Sequence, residues 1–344
     1  MRVILHIGTE KTGTTTIQEF LHRNKAGLGE QGILVPISAD APKSSNHRKL
    51  AVYGCNDSNK DDGRVSLGIV SMPKFRATFE RDFLEECSKS GCDTLILSGE
   101  HCSSRLQSEE EVRRLKSLLD KVGQTTILLY LRRQEEMWRS WYSTAVSLGS
   151  HENFSAPSPL LRGKLLDYQA LCRRWAKVFG ASAIRVRVFS ESEFVDQDLL
   201  HDFEFASGLK FNWQTVFIPP ARNTSIRMKL LKFLRRFNVY LPHMSAETNF
   251  HPDPRQGDLL RILRKLSQDM PPDVISPNQP EWAKSFNEGN AYVARTFLGR
   301  EDGILFKEDT SAVTATSPNA PLTMDEAFEI FAKIWAEKNQ PKQK

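Results

Sequence analysis

The sequence predicts an α/β fold in which a mostly parallel central sheet is covered by helices on both faces. Short apolar runs of strand character alternate with longer runs of helical periodicity, as expected for parallel strands joined by helices. Ligands of such sheets bind at the carboxyl ends of the strands, so functional residues are expected to follow the strands directly. The strands are predicted at 2–7, 94–98, 126–131 and 184–189.

The alternation holds over about the first 205 residues, and the remainder is predicted to be helical. In the first part, helices are predicted at 14–26, 75–90, 108–122, 134–148, 166–179 and 195–206. In the second part, they are predicted at 225–236, 258–269, 281–298 and 323–337. The polar stretches 38–66 and 149–164 are predicted to be loops. Because no repeat or long linker interrupts the chain, we expect a single domain over 1–344, with an α/β core at about 1–205 and a helical part at about 206–338.

Composition narrows the class of protein. The chain has 344 residues, of which 40% are hydrophobic, and its net charge is +5. A charge this mild suits an anionic ligand, but it is not the concentrated basic stripe of a nucleic-acid binder. No apolar run reaches the roughly 18 residues that span a bilayer. The five cysteines show no C-x-x-C spacing, so neither a disulfide framework nor a zinc site is expected.

The most informative segment joins the first strand to the first helix over residues 6–16, with the sequence HIGTEKTGTTT. Gly8 and Gly13 allow the backbone to curl closely, and the N–H groups of the first helical turn point into the curl. A helix N-terminus of this kind binds phosphate or a related anion. The segment therefore predicts an anion-binding loop.

The position of the lysine distinguishes two kinds of phosphate loop. A nucleoside-triphosphate loop reads G-x-x-x-x-G-K-[ST], with lysine directly after the second glycine. Here Thr14 occupies that position, and the lysine is Lys11, three residues earlier. The string 11–15 instead resembles the 5′-phosphosulfate loop of sulfotransferases, which use 3′-phosphoadenosine 5′-phosphosulfate. The resemblance implies that Lys11 faces the oxygen bridging phosphate and sulfate, and that the cofactor-binding residues of the loop are Lys11, Thr12, Gly13, Thr14, Thr15 and Thr16.

A second segment supports the same resemblance. The strand predicted at 126–131 ends in Arg132 and Arg133. The resemblance predicts an arginine at this strand end and a serine eight positions later, both on the nucleotide's 3′-phosphate, and Arg132 and Ser140 fit that spacing. A guanidinium can grip a phosphate with two parallel hydrogen bonds. Arg133 stays open as the alternative, because the sequence does not show which of the two side chains turns inward.

A third segment, residues 166–189, is similar to the tyrosine-and-tryptophan helix and following strand of carbohydrate sulfotransferases. Tyr168 and Trp175 lie seven residues apart on one helical face, and we interpret both as core residues. The similarity therefore supports the fold and adds no residue to the site.

The candidate proton acceptors follow the strand at 94–98. Sulfotransferases place a catalytic histidine, glutamate or lysine at the tip of this strand, which here carries Glu100 and His101. As neighbours in extended backbone, the two are expected to point to opposite sides, so that one faces the cofactor. Histidine titrates near neutral pH, whereas a glutamate base needs its pKa raised by burial. His47, in a predicted loop, is the reserve candidate and a possible substrate contact, and His6 is expected to face the core.

The sequence thus leads to the hypothesis of a sulfotransferase with a P-loop-type nucleotide-binding core. It would transfer a sulfuryl group to a hydroxyl or amine of a carbohydrate or glycolipid and release 3′-phosphoadenosine 5′-phosphate, with no metal and no nucleic-acid partner. Many animal members of the family carry a membrane helix that this chain lacks, so a cytoplasmic enzyme is expected. Two alternatives stay open: a P-loop kinase that uses ATP, and a non-catalytic nucleotide-binding protein. The acceptor and the oligomeric state are not predicted.

Overall fold

The structure is a computed structural model. It describes residues 1–41, 44–59, 62–220, 226–240, 254–271, 273, 279–307 and 319–339.

Five parallel strands form one sheet, which confirms the predicted fold class. The strands are β1 (Arg2–His6), β2 (Ile33–Leu34), β3 (Thr94–Ser98), β4 (Gln124–Leu131) and β5 (Ile184–Val188). Their order across the sheet is β2-β3-β1-β4-β5, and every neighbouring pair is parallel. All five carboxyl ends therefore lie at the same edge. The two halves of the sheet meet at β1, whose Leu5 is in register with Leu97 of β3 and Ile127 of β4.

Helices make up most of the rest of the described chain. They are α1 (Thr14–Glu30), α2 (Arg48–Gly54), α3 (Asp62–Ser66), α4 (Met72–Lys89), α5 (His101–Arg105), α6 (Glu109–Leu119), α7 (Gln134–Ser147), α8 (Pro159–Leu161), α9 (Tyr168–Phe179), α10 (Leu199–Ser207), α11 (Met228–Asn238), α12 (Pro254–Gln268), α13 (Glu281–Lys284), α14 (Asn287–Leu298) and α15 (Met324–Lys338). Short 3₁₀ or π turns occupy Arg162–Leu166, Ala181–Ala183, Glu191–Glu193 and Val195–Gln197.

The predicted strands and helices are found, with several differences. Helices α5 and α8 were not predicted, and α8 lies within 149–164, where a loop was expected. The two-residue strand β2 is too short to give a strand pattern, and it was not predicted. Helices α2 and α3 lie within 38–66, so the prediction of a loop there was wrong; α2 carries the apolar run Leu50–Tyr53, which is buried. The helix predicted at 281–298 is interrupted at residues 285 and 286, which separates α13 from α14.

The described chain forms two compact units. Unit 1 comprises Met1–Arg133, Ser158–Ala221 and Ser285–Phe306 and contains the sheet. Unit 2 comprises Gln134–Pro157, Arg222–Lys284 and Lys307–Lys344, and its described part contains α7, α11, α12, α13 and α15. The expectation of a single domain with a core ending at about residue 205 stays a prediction.

Unit 1 buries its strands beneath helices on both faces. On one face, Phe20 of α1 and Phe203 of α10 pack in a cluster with Ile4, Ile96 and Leu128 of the sheet. On α9, Tyr168 and Trp175 are both buried, which confirms their interpretation as core residues. His6 is likewise buried, as predicted.

Unit 2 has a purely helical core in its described part. Leu231 and Leu234 of α11 pack with Leu263 of α12, Val146 of α7 and Ile330 of α15. A capping box begins α15, because the Thr323 hydroxyl accepts from the Glu326 N–H and the Glu326 carboxylate accepts from the Thr323 N–H.

Candidate active site at the carboxyl edge of the sheet

The loop between β1 and α1 requires glycine at two positions. Gly8 and Gly13 have φ values of 55° and 70°. A Cβ on Gly8 would lie 2.7 Å from Cγ2 of Thr14, and one on Gly13 would approach Leu199 and Phe189 closer than van der Waals contact. Lys11 also has a positive φ, 69°, which costs a non-glycine residue roughly 1–2 kcal/mol. Such strain is kept where the surrounding structure enforces it, as at ligand-binding loops.

Two threonine hydroxyls hold this conformation. Thr9 Oγ1 donates to the Tyr130 carbonyl of β4 at 3.1 Å, which ties the loop to the neighbouring strand. Thr12 Oγ1 donates to the Thr9 carbonyl at 2.5 Å and accepts from the Thr9 N–H at 3.3 Å. The Thr12 hydroxyl is therefore engaged inside the loop, and any contribution of Thr12 to an anion would come from its backbone.

The loop presents unused backbone donors at the start of α1. Within the described residues, the N–H groups of Gly13, Thr14 and Thr15 donate to no protein acceptor, whereas the Thr16 N–H bonds the Gly13 carbonyl at 3.0 Å. The 17-residue helix α1 has no acidic residue in its first turn, so its positive dipole end is not neutralised there. These three amides form what we call the amide cradle, which suits an oxyanion.

Lys11 and Glu100 lie near one another beside this cradle. Burial lowers the pKa of Lys11, while the carboxylates of Glu10 and Glu100 act on it in the opposite direction. The Cβ of Glu100 is 3.4 Å from the position that a Cβ on Gly8 would occupy, so Glu100 borders the loop. The side chain of Glu10 is held by Arg105, with 3.4 Å between Arg105 Nη1 and Glu10 Oε1. The carboxylates of Glu10 and Glu100 thus favour the charged form of Lys11, against the effect of burial.

Glu100 and His101 do not point to opposite sides, and that expectation was wrong. The chain leaves extended backbone after β3, since Glu100 has helical φ and ψ of −59° and −26° and α5 begins at His101. His101 Nδ1 consequently lies 3.8 Å from Glu100 Oε1. Although Glu100 occupies the N-cap position of α5, its side chain makes no capping hydrogen bond. The structure therefore places the carboxylate and the imidazole side by side.

The environment of His101 favours the neutral form of its imidazole near pH 7. Burial lowers the pKa of His101, Arg48 and Arg105 act in the same direction, and the carboxylates of Glu100 and Glu10 oppose them. Nδ1 of His101 is buried and has no hydrogen-bond partner among the described residues. A neutral imidazole with an unused ring nitrogen is able to take up a proton.

Gln18 is a member of the site that the sequence analysis missed. Its Nε2 donates a short hydrogen bond to Glu100 Oε2, and its side chain is buried. Gln18 lies one helical turn after Thr14, so helical spacing alone turns it toward the same side of α1 as the start of the cradle. That spacing was the only available signal, because a glutamine at such a position is equally typical of an ordinary helix surface.

Of the two arginines after β4, Arg132 turns toward the loop. Its Nη1 donates to the Lys11 carbonyl at 3.3 Å, and its guanidinium lies 5.6 Å from the centre of the Phe189 ring. The guanidinium of Arg133 instead lies 6.0 Å from the centre of the Phe306 ring. The Tyr168 hydroxyl donates to the Arg132 carbonyl at 2.5 Å, which fixes this strand end.

Ser140 lies on α7, in unit 2, where its carbonyl accepts from the Thr144 hydroxyl at 3.2 Å. Its pairing with Arg132 on a 3′-phosphate stays a prediction.

His47 is inside unit 1, at the start of α2. It is 2% exposed, its Nδ1 accepts from the Ser98 N–H at 2.8 Å, and its own N–H donates to the Ser98 carbonyl at 3.0 Å. Burial lowers the pKa of His47 to about 3. These contacts anchor α2 to the end of β3, so we do not retain His47 in the proposed site.

Two kinds of feature are absent from the described residues. They contain no group of three or more His, Cys, Asp or Glu side chains arranged to hold a metal ion. Nor does any helix among them have the length and apolar character needed to cross a bilayer.

Comparisons with known proteins give distant similarities. No protein-family model matches the chain. A curated relative, an uncharacterized protein of Archaeoglobus fulgidus, is 22% identical over 212 residues, which are 58% of this chain and 53% of the relative. The chain thus spans about half the length of the curated relative that it matches. Among solved structures, a sulfotransferase from Alicyclobacillus acidocaldarius aligns with 69% of this chain and 92% of its own, at 16% identity and a TM-score of 0.41. Similarities this distant do not establish a function, so we infer the function from the residues of the site.

Proposed function

We propose that this protein is a sulfotransferase that uses 3′-phosphoadenosine 5′-phosphosulfate and transfers its sulfuryl group to a hydroxyl or amine. The observation that carries the proposal is the amide cradle of Gly13, Thr14 and Thr15, with the only lysine of the loop at Lys11. A nucleoside triphosphate loop needs a lysine at the position of Thr14. Thr14 is instead buried against Gly8, which supports a phosphosulfate over a triphosphate.

The residues present fit such a donor. The cradle offers three N–H groups without protein acceptors, and the neighbouring side chains supply an ammonium and a guanidinium, a donor set suited to oxyanions. When bound, the donor would supply the activated sulfuryl group. The cradle and the hydroxyls of Thr15 and Thr16 would hold its 5′-phosphate, and Lys11 would stabilise negative charge on the oxygen that leaves.

We assign the proton transfer to the pair of Glu100 and His101. The neutral imidazole of His101 takes the proton from the hydroxyl or amine that receives the sulfuryl group. The carboxylate of Glu100, 3.8 Å away, stabilises the imidazolium that results. Gln18 keeps that carboxylate in place through its hydrogen bond. Glu100 itself is the alternative base, and substitution separates the two roles. If Glu100 is the base, loss of His101 leaves activity, whereas Glu100→Gln abolishes activity.

Several finer parts of the proposal rest on the resemblance described above. Arg132 and Ser140 would bind the 3′-phosphate, with Arg133 as the alternative arginine. The acceptor would be a carbohydrate or glycolipid, the enzyme would work in the cytoplasm, and residues 1–344 would act as a single domain with a nucleotide-binding core at about 1–205. No metal is needed for this chemistry, because positioning and fixed positive charge perform the catalysis.

A nucleotide-binding comparison tests the cofactor. We expect 3′-phosphoadenosine 5′-phosphate to raise the melting temperature of the protein more than AMP, and more than ATP with or without Mg²⁺. Arg132→Ala is expected to weaken the 3′-phosphorylated nucleotide far more than AMP. Equal weakening of both would contradict the 3′-phosphate assignment, and Mg²⁺-dependent binding of ATP that resists competition would favour a kinase.

Sulfuryl transfer itself is tested with a labelled donor and a panel of sugar, lipid and amine acceptors. Transfer that disappears in Lys11→Ala supports the proposal. Nucleotide binding with no transfer to any acceptor, and no effect of Glu100→Gln combined with His101→Ala on the protein's biological role, would instead indicate a binding protein.

A further inference from the structure

Helix α15 of unit 2 exposes a continuous apolar stripe. Met324, Phe328, Phe331 and Trp335 are each between 52% and 73% exposed, and the rings of Phe331 and Trp335 stack with their centres 6.4 Å apart. Another side of the same helix packs into the core of unit 2, through the buried Ile330. The stripe is therefore a second apolar face, additional to the one that unit 2 uses for its own packing.

The spacing of the stripe is that of a helix-pairing seam. Its residues are separated by four, three and four positions, which is the a/d pattern of a heptad repeat. A seam of this kind packs its side chains between those of a facing helix. In the described chain the four side chains of the seam are exposed, so the seam is available to a facing helix.

The positions beside the seam favour a second copy of this chain. Ala327 and Ala332 flank the seam and allow a close approach of two helices. The charged residues farther round α15 are mixed in sign, and Glu329 is paired with both Lys333 and Lys229. The four seam residues themselves are uncharged, so no like charges face each other within the seam. Arg236 of α11 lies near Met324, but α15 itself carries four acidic and two basic residues, so cations do not predominate as binding to an anionic membrane surface requires.

The stripe continues into a groove next to α11. Phe233, Phe237 and Tyr240 line this groove of about 360 Å³ together with Met324 and Ala327 of α15. At about 200 Å² for a fully exposed aromatic side chain, the exposed fractions of Phe237, Tyr240, Phe328, Phe331 and Trp335 amount to about 600 Å². A standard interface buries about 800 Å² on each partner, so these side chains alone supply most of the area that a stable dimer needs.

We propose that unit 2 forms a homodimer through the stripe and the groove, with the two α15 helices antiparallel about a two-fold axis. In this arrangement Phe331 of one copy lies against Phe328 of the other, and Met324 lies against Trp335. The same patch serves both copies, as a closed two-fold assembly requires. This inference does not depend on the proposed sulfotransferase activity.

Sedimentation velocity on the full chain over a range of concentrations tests the proposal. The wild type is expected to form a dimer, and Phe331→Asp to weaken it by about 30-fold or more, as at an interface hot spot. Phe331→Leu keeps an apolar residue in the seam and is expected to remain dimeric. Val70→Asp is the matched control, because Val70 is a 92% exposed apolar residue of unit 1, and its replacement should leave the dimer unchanged.

Three outcomes would overturn the inference. The wild type could stay monomeric at every concentration, or the dimer could persist undiminished in Phe331→Asp. The monomer could also bind vesicles of phosphatidylcholine and phosphatidylserine through Phe331, which would identify a bilayer as the occupant. The thermal shift with 3′-phosphoadenosine 5′-phosphate is measured on the same variants. Because Phe331 is exposed, each variant should keep that shift, whatever the dimer does.

Discussion

Unit 1 and the described part of unit 2 use their polar and apolar residues in opposite ways. Unit 1 buries its strands on both faces and gathers charged and polar side chains at the carboxyl edge of the sheet, beside a strained loop. Unit 2 has a regular helical core, and its exceptional feature is an exposed apolar stripe. Strain and buried charge indicate chemistry, whereas an exposed apolar seam indicates association.

The largest effect is expected at Lys11. Lys11→Gly removes the ammonium beside the cradle and should lower kcat by roughly 10²–10³, as loss of a charge-stabilising donor does. The same change relieves the left-handed backbone at φ 69°, so the variant should melt no lower than Lys11→Ala. Sulfuryl transfer and thermal melting measure the two effects. Lys74→Ala, at an exposed position of α4, is the control for loss of a lysine.

An active Lys11→Gly variant would show that the loop cation is not part of the chemistry. A variant that melts well below Lys11→Ala would show that the positive φ carries no strain.

The next effect concerns the glycines of α1 and its loop. Gly13→Ala is expected to destabilise unit 1 by about 2–3 kcal/mol and to abolish nucleotide binding, because a Cβ there collides with Leu199 and Phe189 at a positive φ. Gly27→Ala, in the middle of the same helix with open space around it, should stabilise by about 0.5–1 kcal/mol. Denaturant unfolding and nucleotide titration of both variants check the pair. Similar destabilisation by both would remove the argument that the cradle is built around Gly13.

Acid should destabilise unit 1 through its buried histidines. Burial lowers the pKa values of His6 and His47 to about 3, whereas an unfolded histidine titrates near 6.5. Between these values each histidine binds more protons in the unfolded state, so its contribution to stability falls as the pH falls, by about 1.4 kcal/mol per pH unit well below pH 6. Burial raises the pKa of Asp40 to about 7, so this one group acts in the opposite direction and the two histidines outweigh it. Amide exchange in β1 and α11 between pH 7 and pH 5 follows the two units separately.

The variant His47→Asn sharpens this test. Its Oδ1 can accept from the Ser98 N–H in place of the imidazole Nδ1, so the fold is kept while one titrating group is lost. The dependence of stability on pH should become shallower. An unchanged dependence would mean that His47 is not the group that takes up the proton.

The sequence was most informative where chemistry constrains it tightly. The glycines at 8 and 13 and the displaced Lys11 were recognised from type and spacing, and the resemblance implied the arginine after β4. The structure brings the loop, Lys11 and Arg132 together. Strand positions followed from apolar runs that must be buried on both faces. The sequence predicted part of the candidate site, and the role of each of its residues stays a prediction.

The remaining features of the site depend on backbone geometry and long-range contacts, which a pattern of residues along the sequence does not show. The side-by-side arrangement of Glu100 and His101 follows from the point at which the chain leaves β3, which is a matter of one or two residues. The burial of His47 follows from the docking of α2 onto β3, a long-range contact. The hydrogen bond from Gln18 to Glu100 likewise joins residues 82 positions apart, so no local sequence pattern predicts it.

The smallest effect is expected at Gln18. Gln18→Met keeps the volume of the side chain and removes the donor that holds the Glu100 carboxylate beside His101. Because Glu100 raises the pKa of His101 against the effect of burial, that pKa should fall, and the acidic limb of kcat/KM against pH should move downward by about one unit or less, with KM for the nucleotide nearly unchanged. Gln214→Met, at an exposed position of unit 1, is the matched control. A purely structural role of Gln18 would lower activity equally at every pH, and that result would separate the glutamine from the proton transfer while leaving the amide cradle as the basis of nucleotide binding.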